Sequence, residues 1–583
     1  MLWKIIRSYS RPHLGRIWAV IVLQLIATIA TLYLPSLNAR IIDEGIAQGD
    51  TNLIWRIGGV MLAVAFVQVI TAIAAVWFAA KAAMGLGRDL RAAVYRRVNS
   101  FSVQDIGAFG APTLITRGTN DVQQVQMVLL MALTFMVMVP IMSIGGIIMA
   151  VREDAGLSWL VWVSVPVLLV IVGLLVRQLV PLFQIMQSNI DDINAVMREQ
   201  IMGVRVVRAF VREPYERERF NDANAVLTET SVRIGRLFVI MGPAITMILH
   251  LATSAVLWFG GHRVDANVVE IGALTAFMQY LLQILVAVMM GTFMFMMFPR
   301  AVVCARRITE VLDVEPSMAE PQNPVHIAHP HGKLEFRDVT FAYPGAEQPV
   351  LDGISFTVPA GSTTAIIGST GSGKSSLLNL IPRLYDATSG HVLIDGVPVT
   401  KLSRQTLTKL VGFVPQKPYL FSGTVAANLR FGSPDADERS MWEALETAQA
   451  AEFVRERGAG SATGEGLHST ISQGGTNVSG GQRQRLSIAR ALIGRPPIYL
   501  FDDSFSALDL TTDSKLRAAL PHFTGGATVV IVAQRISTIT NADQILVLEE
   551  GKIVARGTHT ELLTSSPTYQ EIVASQLSAQ EAA

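Results

Sequence analysis

Six apolar runs occupy the first 300 residues of the chain, and each is long enough to form a helix that crosses a lipid bilayer. A spanning helix needs about 20 predominantly apolar residues. The six runs are Ile17–Leu34, Ile57–Ala80, Met127–Val151, Leu157–Val176, Leu237–Gly261 and Ile271–Phe298. This pattern predicts an α-helical polytopic membrane domain with six spans over residues 1–315.

The links between the runs alternate in length and in charge. The three short links, Pro35–Arg56, Arg152–Gly156 and His262–Glu270, together carry four arginines and no lysine. The two long links, Lys81–Gln126 and Arg177–Arg236, carry fifteen arginines and lysines. Because basic residues collect on the cytoplasmic side of a membrane, the long links and both termini are predicted to be cytoplasmic. We therefore expect a multi-pass protein of the inner (plasma) membrane whose C-terminal half lies in the cytoplasm.

The long links keep the apolar periodicity of helices, although they are densely charged. This indicates that several spans continue as helices beyond the bilayer. The N-terminal segment MLWKIIRSYSRPH is amphipathic and basic, which predicts a short helix on the membrane surface before the first span.

From Gly332 onward the pattern becomes that of a water-soluble α/β domain. The stretch KLEFRDVTFAYPG alternates as a strand does, and the apolar strand Thr363–Ile367 then leads into a glycine-rich loop and a helix. We predict a linker over residues 316–332, an α/β P-loop nucleotide-binding domain over residues 333–575 and a C-terminal tail over residues 576–583.

The glycine-rich loop has the spacing G-x-x-x-x-G-K-[ST], which is typical of a phosphate-binding loop. It consists of Gly368, Ser369, Thr370, Gly371, Ser372, Gly373, Lys374 and Ser375, followed by Ser376. Its glycines allow backbone N–H groups to surround phosphates, and the following helix adds a favourable dipole. Lys374 would contact the β- and γ-phosphates, and the Ser375 hydroxyl would ligate magnesium. The loop therefore predicts binding of ATP and Mg²⁺.

Composition supports a chain that is partly embedded in a membrane. Of its 583 residues 50% are hydrophobic and 16% are charged, whereas soluble domains carry about 25% charged residues. The net charge of +1 gives no basic field that would attract nucleic acid. Cys304 is the one cysteine, so neither an intrachain disulfide nor a thiolate metal site is possible. We interpret it as a packing residue, with a reactive thiol as the alternative.

Further motifs follow in a characteristic order. They are Tyr343, Gln416 in VGFVPQKPYLF, VSGGQRQR at residues 478–485, IYLFDD at residues 498–503 and SALD at residues 506–509. With the P-loop, they make the chain resemble a half-transporter of the ATP-binding cassette (ABC) exporter family over nearly its whole length. The resemblance implies exporter-type spans and a nucleotide-binding domain that contains a helical subdomain.

The resemblance also implies roles for these residues. Tyr343 would stack on adenine, and Gln416 would contact Mg²⁺ together with Ser375 and Asp502. Asp503 would stand where the family has the general base that orients the attacking water.

The signature residues act on a second nucleotide-binding domain in this family. Ser479, Gly480, Gly481 and Gln482 would hold the γ-phosphate of ATP bound to the other domain, since two domains pack head to tail. A dimer is therefore required.

Two catalytic positions depart from the family pattern. Asp503 replaces glutamate and is one methylene shorter, while Gln534 in ATVVIVAQRIS replaces a histidine and cannot carry its positive charge. A weaker departure is Gln473, where the family often has an acidic residue. We expect a heterodimer in which this chain binds ATP but hydrolyses it poorly, while its own signature serves a competent site of the partner subunit.

The cargo is less well defined by the sequence. The sixth span is rich in methionine (Met289, Met290, Met294, Met296 and Met297) and follows Gln279 and Gln283. Few charges interrupt the spans, apart from the ionisable His250 in the fifth, for which we expect a hydrogen bond to a neighbouring helix. These features favour an amphipathic or hydrophobic compound, such as a drug or a lipid.

Two other functions remain possible at this point. One is a homodimeric exporter with slow hydrolysis, and the other is a nucleotide-sensing regulator of another membrane protein. The direction of transport, import or export, also stays open.

Overall fold

A computed structural model describes residues 1–459 and 466–581 of the chain. These residues form two compact units. The first unit comprises residues 1–100 and 110–314, and the second comprises residues 101–109 together with residues from 315 onward.

The chain up to residue 314 is helical. Its α-helices are α1 (Leu2–Ser10), α2 (Leu14–Arg40), α3 (Thr51–Ser100), α4 (Val103–Phe109), α5 (Ala111–Thr116), α6 (Val122–Met131), α7 (Val137–Glu153), α8 (Trp159–Met202), α9 (Val204–Ala209), α10 (Glu213–Asp265) and α11 (Ile271–Asp313). Three π-helical turns, Ile41–Ile46, Arg117–Asp121 and Ala132–Met136, continue α2 and flank α6.

In the described residues six helical stretches are long and apolar enough to cross a membrane. Four of them contain a predicted run entirely, while Trp159–Met202 and Ile271–Gly291 cover most of Leu157–Val176 and Ile271–Phe298. The predicted six-span fold is therefore confirmed. Several helices also continue well beyond these runs, as the periodicity predicted. For example, α3 extends from Ala80 to Ser100, a further length of about 30 Å at about 1.5 Å per residue.

One buried tyrosine ties three helices of the first unit together. Tyr280 on α11 has no exposed surface, and its hydroxyl donates to the Leu32 carbonyl of α2 at 2.8 Å. The same hydroxyl lies 2.8 Å from the Ser36 hydroxyl, which donates to Glu153 at the end of α7. A polar side chain among apolar helices costs free energy unless it is hydrogen-bonded, so these contacts allow Tyr280 to be buried and hold α2, α7 and α11 together.

The first turn of α11 is capped by an acidic side chain from another helical segment. The Asp43 carboxylate accepts hydrogen bonds from the backbone N–H groups of Gly272 at 2.6 Å and Ala273 at 3.1 Å. A negative charge at a helix N-terminus pairs with unsatisfied donors and with the helix dipole. This contact joins the π-helical turn after α2 to the start of α11.

A second polar contact joins the ends of α7 and α10. Arg263 donates two hydrogen bonds to the two carboxylate oxygens of Asp154, at 2.8 and 3.0 Å. Asp154 also accepts from the Gly156 N–H at 2.6 Å. A Cβ atom at Gly156 would lie only 2.6 Å from the Arg263 guanidinium, so a larger residue there would displace this side chain from its present position.

Three side chains discussed for the spans have defined environments. His250 is exposed on α10, and in the described part of the chain no hydrogen bond joins it to a neighbouring helix, so that expectation was wrong. Cys304 is buried, and burial raises the pKa of its thiol to about 11. An inert, protonated thiol supports the packing interpretation. Met294 is buried whereas Met290 is exposed, and the Met296 side chain lies outside the described residues.

The second unit contains all twelve strands that the structure describes and the remaining helices. The strands are β1 (Leu334–Phe341), β2 (Leu351–Val358), β3 (Thr363–Ile367), β4 (Ser389–Ile394), β5 (Val397–Pro398), β6 (Val411–Val414), β7 (Gly423–Thr424), β8 (Thr470–Ile471), β9 (Ile498–Asp502), β10 (Thr528–Val532), β11 (Gln544–Glu549) and β12 (Lys552–Gly557). The helices are α12 (Lys374–Leu380), α13 (Arg404–Leu410), α14 (Val425–Leu429), α15 (Glu438–Thr447), α16 (Ala451–Ala459), α17 (Gly480–Leu492), α18 (Leu510–Thr524), α19 (His559–Ser565) and α20 (Pro567–Glu581).

The strands form a six-stranded and a four-stranded sheet, with a small β7–β8 pair apart. The larger sheet has the order β12-β11-β3-β10-β9-β6; four of its five pairings are parallel, and the edge strand β12 is antiparallel to β11. The smaller sheet, β2-β1-β4-β5, is antiparallel. Helices α14 to α17 pack beside the larger sheet through one apolar core. This is the predicted α/β domain with its helical part.

A short segment from the membrane-spanning half of the chain belongs to this second unit. Helix α4 follows Ser102, whose hydroxyl lies 2.7 Å from the Ser317 hydroxyl. The Asp105 carboxylate accepts from the backbone N–H groups of both Ser102 and Ser317, at 2.9 and 3.1 Å. The residues predicted as a linker, 316–332, form neither helix nor strand, and Val325 donates to the Lys401 carbonyl at 2.9 Å.

The Asp154–Arg263 pair gives a prediction about stability. Arg263→Ala leaves a carboxylate that is 5% exposed without its charged partner, so the expected loss is about 1.5–3 kcal/mol. The matched control is Arg233→Ala, which breaks a pair with Glu229 whose side chains are 62% and 66% exposed and which is worth about 0.3–0.5 kcal/mol. Thermal unfolding of the purified protein in detergent measures both, and equal losses would contradict the role assigned to Asp154.

Candidate functional site

The phosphate-binding loop begins where β3 ends, in the middle of the larger sheet. The structure has the predicted strand Thr363–Ile367 before the loop and a helix from Lys374 after it. Gly371 and Gly373 have φ values of 88° and 96°, in the left-handed region that favours glycine. A Cβ atom at Gly368 would lie 2.0 Å from the Leu548 carbonyl oxygen. Backbone conformation and packing therefore explain why this loop needs its glycines.

The strand register brings the other predicted residues to the same edge of the sheet. In the parallel pairing, Val532 of β10 is opposite Ile366 of β3 and opposite Asp502 of β9. The three strands therefore end at the same level, and the residues that follow them meet at the P-loop. Asp502, Asp503 and Gln534 lie at or directly after these strand ends.

Lys374 lies across the inside of the loop. Its ammonium group donates to the carbonyls of Gly368 at 2.8 Å and Ser369 at 2.6 Å, and to the Ser372 hydroxyl at 3.3 Å. Burial lowers the pKa of this lysine, while the nearby charges of Asp503 and Asp502 favour its protonated form. An ammonium group held only by neutral oxygens is well placed to pair with a phosphate.

Ser375 and Asp502 form a pair of oxygen ligands beside Lys374. The Ser375 hydroxyl donates to the Asp502 carboxylate at 2.9 Å. Burial raises the pKa of Asp502, whereas the Ser375 hydrogen bond and the Lys374 charge oppose that rise. Hydroxyl and carboxylate oxygens are the ligands that Mg²⁺ prefers, and it is usually bound by one or two carboxylates plus substrate phosphates. In the described residues no group of three or more acidic, His or Cys side chains is placed to hold a metal ion.

Asp503 is in contact with the other two predicted catalytic residues. One oxygen of the Asp503 carboxylate accepts hydrogen bonds from the side-chain amides of Gln534 at 2.8 Å and Gln416 at 3.3 Å. Asp503 is 8% exposed and has a φ of 47°, which is uncommon for a residue other than glycine. Its own N–H donates to the Val532 carbonyl at 3.0 Å, which helps to hold this conformation.

A residue that was not predicted holds the segment that carries Gln534. Gln576 on α20 donates from its amide to the Gln534 carbonyl at 2.6 Å. Its amide oxygen accepts from the Ile536 N–H at 2.8 Å. We call residues Gln534–Ile536 the switch segment. No local motif marks Gln576, and the predicted domain boundary at residues 575 and 576 falls inside α20, so the sequence offered no signal for this contact.

Tyr343 is held beside the P-loop helix by its hydroxyl. This hydroxyl lies 2.9 Å from that of Ser376, the second serine after Lys374. The ring makes edge contacts with Phe341 and Tyr385, at centroid distances of 4.9 and 5.5 Å. The aromatic position expected to stack on adenine therefore lies close to the phosphate-binding loop.

The signature residues start helix α17. Ser479 is its N-cap and forms a reciprocal capping box with Gln482, with hydrogen bonds of 3.2 and 3.0 Å. Ser479 and Gly480 are exposed, and a Cβ atom at Gly480 would have no neighbour within 4 Å. Within the described residues no hydrogen bond joins residues 479–482 to the P-loop of the same chain, so the structure does not bring these two predicted groups together. Gln473 lies in an exposed turn before them.

Comparisons with known proteins agree with this architecture. Residues 17–288 match the family model described as the ABC transporter transmembrane region, and residues 351–506 match the ABC transporter model. An uncharacterized ABC transporter ATP-binding protein of Mycobacterium tuberculosis is 49% identical over 580 residues, which cover 99% of this chain and 98% of that protein.

Two further matches have more informative names. An ATP-dependent lipid A-core flippase of Thiobacillus denitrificans is 30% identical over 98% of this chain and 97% of its own length. The solved structure of a bacterial Atm1-family ABC exporter with ATP bound has a TM-score of 0.79 and covers 96% of this chain and 98% of its own. Its 23% identity supports the fold alone. With six apolar helices, a P-loop domain and these relatives, the chain is a multi-pass membrane protein that belongs to the ABC transporter family, in its exporter-type architecture.

Proposed function

We propose that this chain is one subunit of a heterodimeric ATP-driven transporter, that it binds ATP at a degenerate site and that it completes a competent site of an unlike partner. The observation that carries this proposal is the contact of Asp503 with Gln534 and Gln416. At the position of the family's general base, the chain has a short carboxylate with two neutral amides bonded to one of its oxygens.

ATP would be bound by the P-loop and Tyr343. Phosphate oxygens would take the place of the carbonyls that Lys374 now contacts, since a phosphate is a stronger acceptor for an ammonium group. Ser375 and Asp502 would hold Mg²⁺, with the side-chain oxygen of Gln416 as a further ligand. Bound magnesium would neutralise charge on the phosphates.

Hydrolysis at this site would be slow for two reasons. The Asp503 side chain is one methylene shorter than glutamate, and a displacement of about 1 Å from the attacking water costs roughly a hundredfold in rate. Gln534 donates its amide to Asp503 but cannot supply the positive charge of an imidazolium near the γ-phosphate. ATP would therefore stay bound and keep the two nucleotide-binding domains together.

The signature is fit to serve a different ATP molecule. Ser479 and Gly480 are exposed at the N-terminus of α17, a helix of 13 residues whose first N–H groups can bind an anion. The capping box orients this turn without help from the P-loop of the same chain. The γ-phosphate of ATP on the partner subunit is the ligand that we assign to it.

Exposed apolar residues on the membrane unit also favour association with a second chain. The residues around α9, between α8 and α10, include Met202, Phe210 and Val211, which are 82%, 73% and 75% exposed. No residue of α9 itself is buried. Apolar residues grouped in this way are typical of a surface that another protein covers.

The transported compound is proposed to be amphipathic or hydrophobic, as a drug or a lipid is. The side-chain oxygen of Gln283 on α11 is buried without a hydrogen-bond partner in the described part of the chain. The flippase among the relatives acts on a lipid, according to its name. The adaptable side chains of Met289 and Met290 nearby suit a broad range of apolar ligands.

The orientation and the domain limits follow from the sequence pattern. We propose that residues 1–315 form the transmembrane domain of a plasma-membrane protein, with a linker over residues 316–332, the nucleotide-binding domain over residues 333–575 and a tail over residues 576–583. The nucleotide-binding domain and both termini would be cytoplasmic.

Affinity purification from the native membrane tests the partner. We expect a second half-transporter in equal amount, with glutamate at the position that corresponds to Asp503 and histidine at the position that corresponds to Gln534. Recovery of this chain only as a dimer with itself contradicts the heterodimer and favours a slow homodimeric exporter. A nucleotide-sensing regulator would instead co-purify with an unrelated membrane protein.

The asymmetry of the two sites gives a second test on the purified complex. Asp503→Asn is expected to lower ATP hydrolysis less than about twofold, because most turnover would occur at the partner's site. Ser479→Arg fills the signature that completes that site, so a loss of roughly a hundredfold is expected. A loss of similar size for Asp503→Asn would show that this chain's own site carries the turnover.

The role of Gln576 in positioning the switch segment is also testable. Gln576→Ala removes the acceptor of the Ile536 N–H, so hydrogen exchange at that amide should rise about five- to tenfold, as expected for the loss of one hydrogen bond. The control is Gln570→Ala on the same helix, because the side chain of Gln570 donates to the Leu563 carbonyl and not to the switch segment. Unchanged exchange at Ile536 would contradict this role.

A further inference from the structure

We infer that a basic cavity at one end of the membrane unit binds a phosphate-bearing ligand. The cavity has a volume of about 510 Å³ and lies between α1, the last turns of α3 and the last turns of α11. It is built entirely from residues of the first unit. It is distinct from the ATP site, which is in the second unit, and from the spans themselves.

Positive charge dominates the lining of this cavity. Lys4 comes from α1, and Arg96 and Arg97 come from successive positions of α3. Asp313, at the end of α11, is the one acidic residue in the lining. Among residues 1–459 and 466–581, no ion pair is formed by any of the three cations, whereas Arg88 and Arg117 on neighbouring segments both have carboxylate partners. Three unpaired cations around one cavity repel one another, and a bound anion would relieve that repulsion.

The remaining polar groups are hydroxyls, which suit a phosphate. Ser8 and Tyr9 of α1, Ser100 of α3 and Thr309 of α11 line the same cavity. Guanidinium groups bind phosphate oxygens with paired hydrogen bonds, and the hydroxyls of Ser8 and Tyr9 can complete the shell as donors. The hydroxyls of Ser100 and Thr309 already donate to the carbonyls of Arg97 and Ala305. The apolar residues Ile5, Ala93 and Leu312 line the rest, so the cavity offers room for carbon atoms attached to the phosphate. A volume of this size falls within the range of small-molecule sites.

The position of α1 favours a membrane lipid as the source of the phosphate. Trp3 on α1 and Trp18 on α2 are 74% and 64% exposed, and exposed tryptophans are typical of the boundary between lipid and water. Basic residues just beyond a span attract anionic lipids. A soluble phosphate ester has the same chemistry at its phosphate, so the experiment must separate the two sources.

The experiment uses the full transporter purified in detergent, and it follows thermal unfolding during titration with a defined lipid. Dioleoylphosphatidylglycerol is the anionic probe, dioleoylphosphatidylcholine the zwitterionic one, and glycerol 3-phosphate the soluble one. A ligand that binds the folded state raises the melting temperature, and the dependence of this rise on ligand concentration yields an apparent dissociation constant. We expect phosphatidylglycerol to stabilise the protein at lower concentration than phosphatidylcholine does.

Matched variants show whether the cavity is responsible. Lys4→Gln with Arg97→Gln removes one cation of the cavity from α1 and one from α3, and should weaken the apparent affinity for phosphatidylglycerol about tenfold. Arg7→Gln with Arg88→Gln also removes one positive charge from α1 and one from α3, but at positions outside the lining of the cavity. This variant should leave the apparent affinity for phosphatidylglycerol unchanged. Lys4→Arg with Arg97→Lys keeps both charges and should retain binding, which guards against a folding defect.

Each outcome decides the question. Selective stabilisation by phosphatidylglycerol alone supports a lipid headgroup site. Stabilisation by glycerol 3-phosphate that is lost in the variant with Lys4→Gln and Arg97→Gln supports the same site with a soluble ligand. The proposal would be overturned if the two double glutamine variants had equal effects. It would also be overturned if phosphatidylglycerol and phosphatidylcholine stabilised the protein equally and glycerol 3-phosphate had no effect.

Discussion

The parallel register of β3, β10 and β9 is the constraint on which the nucleotide site depends. Because Val532 is opposite both Ile366 and Asp502, the three strands end at one level of the sheet. The P-loop, the two aspartates and Gln534 then meet at this edge of the sheet. A shift of one residue in either pairing would turn side chains to the other face of the sheet and separate Ser375 from Asp502. The chemistry of the site is thus a consequence of backbone pairing between strands that are far apart in sequence.

The membrane unit is organised by a few polar contacts within a largely apolar set of helices. Apolar helices gain little from packing on one another rather than on lipid, so hydrogen-bonded groups contribute strongly to their arrangement. Tyr280 joins three helices, Asp43 caps α11, and Asp154 pairs with Arg263. Each of these groups has its partners, which is the condition for burying a polar side chain. Within the described part of the chain the cations of the basic cavity have no carboxylate partner, and this difference distinguishes a candidate ligand site from a structural contact.

Much of the candidate site was predictable because its residues follow one another closely in sequence. The P-loop combines a glycine pattern, a strand and a helix within a short segment, and the signature combines an N-cap with glycines at the start of a helix. Gln576 was not predictable in this way, since it contacts Gln534 across 42 positions and belongs to no motif. The predicted hydrogen bond of His250 to a neighbouring helix proved wrong. Hydropathy identifies a spanning helix, but it does not determine which face of that helix other helices cover.

The sequence by itself determined the number of spans, the order of the two halves and the identity of the phosphate-binding loop. These properties depend on local composition and spacing, which act over one helix or one turn. Only the tertiary structure decided that one carboxylate oxygen of Asp503 accepts hydrogen bonds from two side-chain amides, and that α20 holds the switch segment. It also decided that Lys4, Arg96 and Arg97 line the same cavity. Such contacts join residues from separate elements, and their geometry depends on how the helices and strands pack, which no local pattern encodes.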